Sequence, residues 1–514
     1  MNRATQLQRL EDEKKWDVAI IGGGATGLAC AMDAATRGLR TILFEQGDFA
    51  EATSGRSTKL IHGGVRYLRQ GNIRLVRESL RERELLLKNA PHLVNEIRFV
   101  LPCYNWLQMP WYALGMKIYD AIRGNSHFAD SETSGYEEVL RLLPGIKGDD
   151  LKGAVSYSDA QFDDARLALE MALTAQAHGA LCLNYLRIED VRKVSDGFQV
   201  TAHDLIAGKE YSCGAQMVVN AGGIYGDRWR QGDKGYSLVL SRGSHIVLDQ
   251  EFLSTENALI IPKTDDGRVI FAIPWLGKLV VGTTDVACNA PEMDPRVTDE
   301  EIDYLLEHLQ PYLAKTAQRS DIRSCFAGIR PLIAQRENKA TQALSRDHKI
   351  WRDDNNGLVQ VAGGKWTTAR LMAEETIDFV LKAAGKPPRA SVTRHLALAD
   401  DTGQNASDPK LRPYGNKTDD VKTLINSHAR WQDSLHPRLE VLKGQVLWAV
   451  RHEQALTVAD VLSRRTRSLM LDARAALESA EAVAAIMAEE LNWSAEEQQA
   501  QIGRFKQSAQ HYVA

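Results

Sequence analysis

The sequence predicts an α/β fold: a doubly wound, Rossmann-like domain interrupted by an α+β domain and followed by an all-α C-terminal domain. Three observations predict it. Residues 16–45 read as a strand, a glycine-rich turn, a helix and a second strand. Helix-like stretches then interleave with short strands up to residue 385. Beyond the linker-like stretch that follows, VLKGQVLWAVRHE and ARAALESAEAVAAIMAEEL carry apolar positions at helical period.

With 514 residues, 44% of them hydrophobic, the chain has material for two or three domains with a large core. Its 63 Lys and Arg against 67 Asp and Glu create no global field toward nucleic acid, and no such partner is expected. The six cysteines (30, 103, 182, 213, 288 and 325) lie far apart without C-x-x-C spacing, so they read as single buried thiols in a reducing compartment. The N-terminus, with Glu11, Asp12 and Glu13, fits neither a secretory signal nor an acid-poor transit peptide. No apolar run reaches the roughly 20 residues that cross a bilayer. A cytoplasmic protein, or one peripheral on the inner face of the cytoplasmic membrane, is expected.

In the opening unit, DVAII is an apolar strand, GGGATG a turn, LACAMDAATRG a helix and RTILF a strand ending at Glu45. Leu28, Ala31, Met32 and Ala35 form the helix's apolar stripe, while Asp33 and Arg37 pair one turn apart on the face expected to meet water. Gly22 suits the tight turn, Gly24 close approach to a pyrophosphate and Gly27 close helix packing, with the helix N-terminus facing the anion. Glu45 lies where an acid takes ribose hydroxyls and repels a 2′-phosphate, which leaves FAD or NAD.

Helices are expected over residues 75–89, 165–178 and 298–313. Strands cluster between 244 and 285, where VIFAIPW and KLVVGTTD flank a Leu276-Gly277 hairpin turn. Residues 387–420 are rich in Pro, Gly and Asp and read as a linker. In the tail, Ser494 and Glu497 fit a capping box.

Two later segments bear on the cofactor. VVNAGG (218–223) is a buried-type strand returning beside the dinucleotide, and VAGGKWTTARLM (361–372) is a strand, a Gly-Gly turn and a helix start. A helix N-terminus there suits the negative charge that a reduced flavin develops, although each segment alone is an ordinary strand and turn. ATSGRSTKLIHGGVRYL (52–68), GSHIV (243–247), PW (274–275), GTTD (282–285), GIRPL (328–332) and GGKWTT (363–368) then occur in order. On these motifs the chain resembles the FAD-dependent sn-glycerol-3-phosphate dehydrogenases from residue 16 to 385, and LSRRTR (462–467) continues the likeness. It departs at Leu28 and Ala29, at Gly55 in place of Ser, and at Ala369 in place of Tyr.

The resemblance implies FAD-binding segments 16–85, 156–230 and 336–386, substrate-domain segments 86–155 and 231–335, and a helical domain over 421–514. It implies oxidation of glycerol 3-phosphate to dihydroxyacetone phosphate, with hydride passing to the flavin and electrons to a membrane quinone. It implies His245 as the leading base, Arg330, Lys365 and Arg66 as holders of phosphate and alkoxide charge, and Thr283 and Tyr67 as residues that orient the substrate. Cofactor contacts fall to Gly22, Gly24, Gly27, Glu45, Thr53, Ser54, Ser57, Lys59, Leu60, Gly222, Gly364, Lys365 and Thr367. Asp285 is left as a turn residue, and no spacing suggests a metal. Competing readings are an oxidase of the same substrate, an amine or amino-acid enzyme, and a non-catalytic flavin scaffold. The sequence does not set the oligomeric state and is compatible with a homodimer.

Two stretches bear on a membrane. LPCYNWLQMPWYALGMKIYDAIR (101–123) combines Trp106, Trp111, Tyr104, Tyr112 and Tyr119 with Lys117 and Arg123, as an interfacial anchor does and a core segment also does. Arg464, Arg465 and Arg467 read either as lipid-phosphate contacts or as a solvated helix face.

Overall fold

The computed structural model describes residues 3–65, 72–124, 126–232, 236–262, 264, 267–335, 347–398 and 408–514. The strand Lys15–Ile21 lies at the centre of an eight-stranded sheet. Thr41–Phe44 and Glu210–Asn220 flank it in parallel, with Leu181–Leu183 and Val359–Gly363 parallel beyond them. Val18 and Ile20 pack toward the helices Ala25–Thr36, Asp164–Ala177 and Ala369–Ala383, while Ala19 and Ile21 face the other way. This alternation of fully buried residues is what a parallel strand covered on both faces requires. The opposite face is closed largely by the antiparallel ribbon Leu186–Val194 and Gly197–Asp204, together with Leu10 of the helix Arg3–Asp12.

A second, ten-stranded sheet carries the other domain. Its long strand Tyr236–Asp249 pairs along its whole length with Ser324–Gln335, and on its other edge with Lys278–Gly282. The Leu276-Gly277 hairpin is present, and both residues have positive φ (47° and 75°), as a type I′ turn demands. This sheet also recruits Leu60–Ile61 and all of Gly153–Phe162, which lie partly inside the segments expected to belong to the nucleotide domain. The helix Asp299–Leu309 covers the sheet and is opened by a full capping box between Thr298 and Glu301.

The C-terminal region is helical, as expected, with one short hairpin, Ser434–His436 and Leu439–Leu442, whose turn holds Pro437 and Arg438. Two expectations are corrected. Part of the expected linker is packed structure, because Leu411 and Tyr414 are buried against Val421, Ile425 and Trp448; residues 399–407 lie outside the described residues. The Asp33–Arg37 pair is buried rather than wet. The helix Ala369–Ala383 and the segment 389–393 close over it, with Arg37 donating to the Glu374 and Arg389 carbonyls and Asp33 accepting from Thr393. Ser494 caps its helix by accepting from the Glu497 N–H. Five cysteines are buried and Cys288 is half-buried, all as free thiols. Among the described residues no helix is long and apolar enough to cross a membrane.

The C-terminal region is joined to the nucleotide domain by buried charge. Arg166, in the helix Asp164–Ala177, donates to both oxygens of Glu453 at 2.9 and 2.8 Å and stacks on Tyr414. Removing one member of a buried pair strands the other, whereas replacing both with apolar groups can be near neutral. Glu453→Met is expected to destabilise by about 3–5 kcal/mol and Arg166→Met/Glu453→Met to recover most of it. Thermal unfolding of the two variants checks this, and a double variant as unstable as the single one refutes it.

Candidate active site

The opening turn builds one wall of a long cleft. Gly22 has φ 104°, and a Cβ on Gly27 would meet the Gly22 carbonyl oxygen at 1.9 Å, so no side chain fits where the helix crosses the turn. The Ala25 N–H at the helix N-terminus donates to Ser54 Oγ at 2.9 Å, so Ser54 supplies the cap that Gly24 lacks. Glu45 accepts from the Gly23 N–H at 2.5 Å and the Gly47 N–H at 2.8 Å, and each carboxylate oxygen has a further lone pair for a ribose hydroxyl. Burial raises its pKa to about 7. Thr53, Gly222, Gly364 and Lys365 line the same cleft, and so does Trp366, which donates to the Ser54 carbonyl at 2.8 Å. A cleft walled by bare backbone at Gly22, Gly24, Gly222, Gly223 and Gly364, with a helix N-terminus facing in, fits a dinucleotide.

Five of the expected cofactor contacts are not on this wall, the first being Gly27, which is buried against the Gly22 carbonyl. Ser57 donates through N–H and Oγ to Asp164, at 3.0 and 2.7 Å. Lys59 is fully buried and donates to the same carboxylate at 2.7 Å and to the Gly55 carbonyl at 3.0 Å, with its ammonium over the rings of Trp275 and Phe326. Burial lowers its pKa to about 7 against the opposing pull of Asp164. Leu60 lies in a strand of the second sheet, and Thr367 is buried beside the His62 carbonyl. Ser57 and Lys59 turn inward to Asp164, at the start of the helix Asp164–Ala177. Gly55, a departure from the family pattern, has its own cause: a Cβ there would lie 2.4 Å from the Ala50 carbonyl oxygen.

The polar cluster is assembled by strand register. Residues two apart on a strand share a face, as do residues directly opposed. His245, Gly243 and Ser241 therefore share a face with Phe326, Gly328 and Arg330, their partners on the neighbouring strand. The His245 ring stacks on Phe326 with centroids 4.7 Å apart, and its Nε2 lies 3.0 Å from Thr58 Oγ1. The Arg330 guanidinium crosses Gly243, where a Cβ would meet it at 2.1 Å, and the His245 ring crosses Gly282 at 2.2 Å in the same sense. Arg330 donates to Thr283 Oγ1 at 2.9 Å and to the Thr284 carbonyl, with Asp285 at 3.9 Å. Pro331, next to Arg330, lines the cleft together with Lys365, whose Nζ donates to Ser79 at 3.1 Å. Arg66 and Tyr67 lie outside the described residues.

Sequence reasoning missed Thr58, which contacts His245, and Asp285, which accepts from Ser241 and faces Arg330. Both sat inside quoted motifs, and the signal in each was a polar residue beside a charged one. The arginines of LSRRTR face neither lipid nor water. Arg464 and Arg465 are buried on Asp48, and Arg467 on Asp164, because the π-helical turn Asp460–Arg465 points them into the nucleotide domain.

The fold and cleft define a flavoprotein oxidoreductase. The profile described as FAD dependent oxidoreductase matches residues 17–379, and the profile of the C-terminal domain of alpha-glycerophosphate oxidase matches residues 361–498. A probable mitochondrial glycerol-3-phosphate dehydrogenase of Caenorhabditis elegans is 38% identical, covering 96% of this chain and 73% of that one. The human mitochondrial enzyme of the same name is 35% identical over 98% and 74%. A glycerol-3-phosphate dehydrogenase structure from Bacillus halodurans, complexed with FAD, superposes with a TM-score of 0.81 at 29% identity, over 100% of this chain and 98% of that one. The chain belongs to the FAD-dependent glycerol-3-phosphate dehydrogenase family, and its cofactor is FAD.

Burial, and then the charges of Arg330 and Lys59, push the His245 pKa down to about 3. The ring is neutral at physiological pH. Below pH 6.5 the unfolded chain binds a proton that this site refuses, so stability falls as pH drops from about 6.5 toward 3. At pH 5 the loss from this group is about 2 kcal/mol. Moving from about pH 7 to 5 should lower the melting temperature of the wild type more than that of His245→Gln; equal shifts would refute the assignment.

Proposed function

We propose that the protein oxidises the C2 hydroxyl of glycerol 3-phosphate to dihydroxyacetone phosphate and passes the electrons to a membrane quinone. The observation that carries this reading is the cluster of Arg330 and the buried His245 on one face of the paired strands, next to the dinucleotide cleft that Pro331 and Lys365 line. FAD, when bound, supplies the hydride acceptor. Arg330 is held by Thr283 and the Thr284 carbonyl, which fixes a guanidinium charge of the kind that suits phosphate oxygens. Lys365 adds a point charge from the opposite strand-turn-helix. Neutral His245 accepts the hydroxyl proton. The dianionic substrate offsets the field of Arg330 and Lys59 that holds His245 deprotonated, so binding strengthens the base as it is needed.

The test is anaerobic mixing with substrate. Glycerol 3-phosphate should bleach the flavin absorbance and glycerol should not, and His245→Gln should slow bleaching by about 10²–10⁴. No bleaching with flavin bound would sink the dehydrogenase reading. Hydrogen peroxide formed at the turnover rate without quinone would make the protein an oxidase instead.

Quinone access is supported by the helix Gln108–Arg123. Trp106, Leu107, Trp111, Leu114 and Ile118 are exposed, with Leu107 at 80% and Trp111 at 73%, and the last four recur at helical spacing on one face. That pattern suits an interfacial helix whose apolar side enters the headgroup boundary. Tyr119, expected in the same anchor, instead turns into the core against Asp159, and Tyr104 and Tyr112 are half-buried. Trp111→Glu/Leu114→Glu should abolish co-sedimentation with phospholipid vesicles while leaving turnover with a soluble dye acceptor unchanged. Retained vesicle binding would remove this helix from the membrane contact.

A further inference from the structure

The LSRRTR arginines belong to the C-terminal domain, yet they grip the loop that leaves Glu45. Arg464 Nε and Arg465 Nη1 each donate to Asp48 Oδ2 at 2.5 Å, and Arg465 Nη2 donates to Oδ1 at 2.9 Å. Asn184 adds a further bond to Asp48 at 3.0 Å. Glu51 accepts the Asp48 N–H at 2.8 Å and lies 4.0 Å from Arg464. At the loop's far end Arg467 donates to the Gly55 carbonyl at 3.0 Å and to Asp164 at 2.8 Å. Between these anchors lie Ala50, Ala52, Thr53 and Ser54, all lining the dinucleotide cleft.

The backbone that presents these arginines is unusual. Residues 460–465 form a π-helical turn, and Arg467 sits at φ 62°, a left-handed conformation that a long side chain rarely adopts. Such geometry persists where the surroundings hold it and is concentrated at functional sites. The loop itself carries Asp48 and Glu51 beside a cleft built for phosphates. Without the arginines those carboxylates would repel each other and the dinucleotide, and the loop would open.

We propose that Arg464, Arg465 and Arg467 are positioning residues for FAD: the C-terminal domain holds residues 46–55 in the shape that closes on the dinucleotide. Docking of the tail and binding of FAD are then one linked equilibrium, and each strengthens the other by the same factor. This rests on FAD in the cleft and is independent of the substrate and the electron acceptor.

The experiment uses the full chain. FAD affinity is measured by flavin fluorescence titration below the melting temperature, and protease cleavage within residues 443–514 is followed with and without FAD. Arg465→Met should weaken FAD binding by about tenfold or more, and Arg465→Lys should not restore it, because lysine lacks the fork that engages both Asp48 oxygens. Val483→Ala, in the tail's own core, should lower the melting temperature while leaving FAD affinity within about twofold. FAD should slow cleavage of the wild-type tail several-fold. The proposal is overturned by Arg465→Met binding FAD within about twofold of wild type, by Val483→Ala weakening FAD equally, or by wild-type tail cleavage that ignores FAD. If Arg465→Met does not fold, the wild-type protease arm decides alone.

Discussion

The pairing of Tyr236–Asp249 with Ser324–Gln335 brings His245 and Arg330 to one face of the sheet. Because side chains alternate along a strand, a slip of one residue would send His245 and Arg330 to the opposite face. On the other face the register is held by buried apolar partners, where Ile246 opposes Cys325. Packing on one face thus determines the chemistry on the other. Gly243 and Gly282 complete the arrangement by letting the guanidinium and the imidazole lie flat against backbone.

A second constraint is electrostatic. The protein buries a series of charge pairs: Arg83 on Asp159, Lys59 and Arg467 on Asp164, Arg166 on Glu453, Arg370 on Glu82, and two arginines on Asp48. Such pairs are weak sources of stability but strong sources of specificity, since a misplaced neighbour leaves a charge unpaired. Several of them join elements from different domains, so the site is held by contacts that only the native docking satisfies.

The sequence was legible where chemistry is local. The strand-turn-helix of residues 16–45, the capping residue Ser494 and the two-residue hairpin at Leu276-Gly277 are written in adjacent residues, and the structure has them. His245, Thr283, Arg330 and Lys365 were recognisable by motif, although their spatial relation comes from register that no window of sequence contains. What no local window shows is long-range: the side chains of Lys59 and Ser57 bond to Asp164, some hundred residues on. Asp33, Arg37 and the LSRRTR arginines looked wet because charge on a helix is normally solvated, and only the docked neighbours show otherwise.

The parallel sheet has a further consequence for how the protein comes into being. Its central strand is the first of the chain, but the strand that completes the flavin side, Val359–Gly363, follows more than three hundred residues later, and the arginines that brace the cofactor loop come later still. Pairings of such separation form late, because the intervening chain must be ordered first. A nascent or truncated chain therefore lacks a finished cleft however well its glycine turn has folded. On the proposed bracing of the cofactor loop, acquisition of the flavin becomes a check on completeness, and a fragment with half a cleft is expected to hold the cofactor less tightly than the whole chain does.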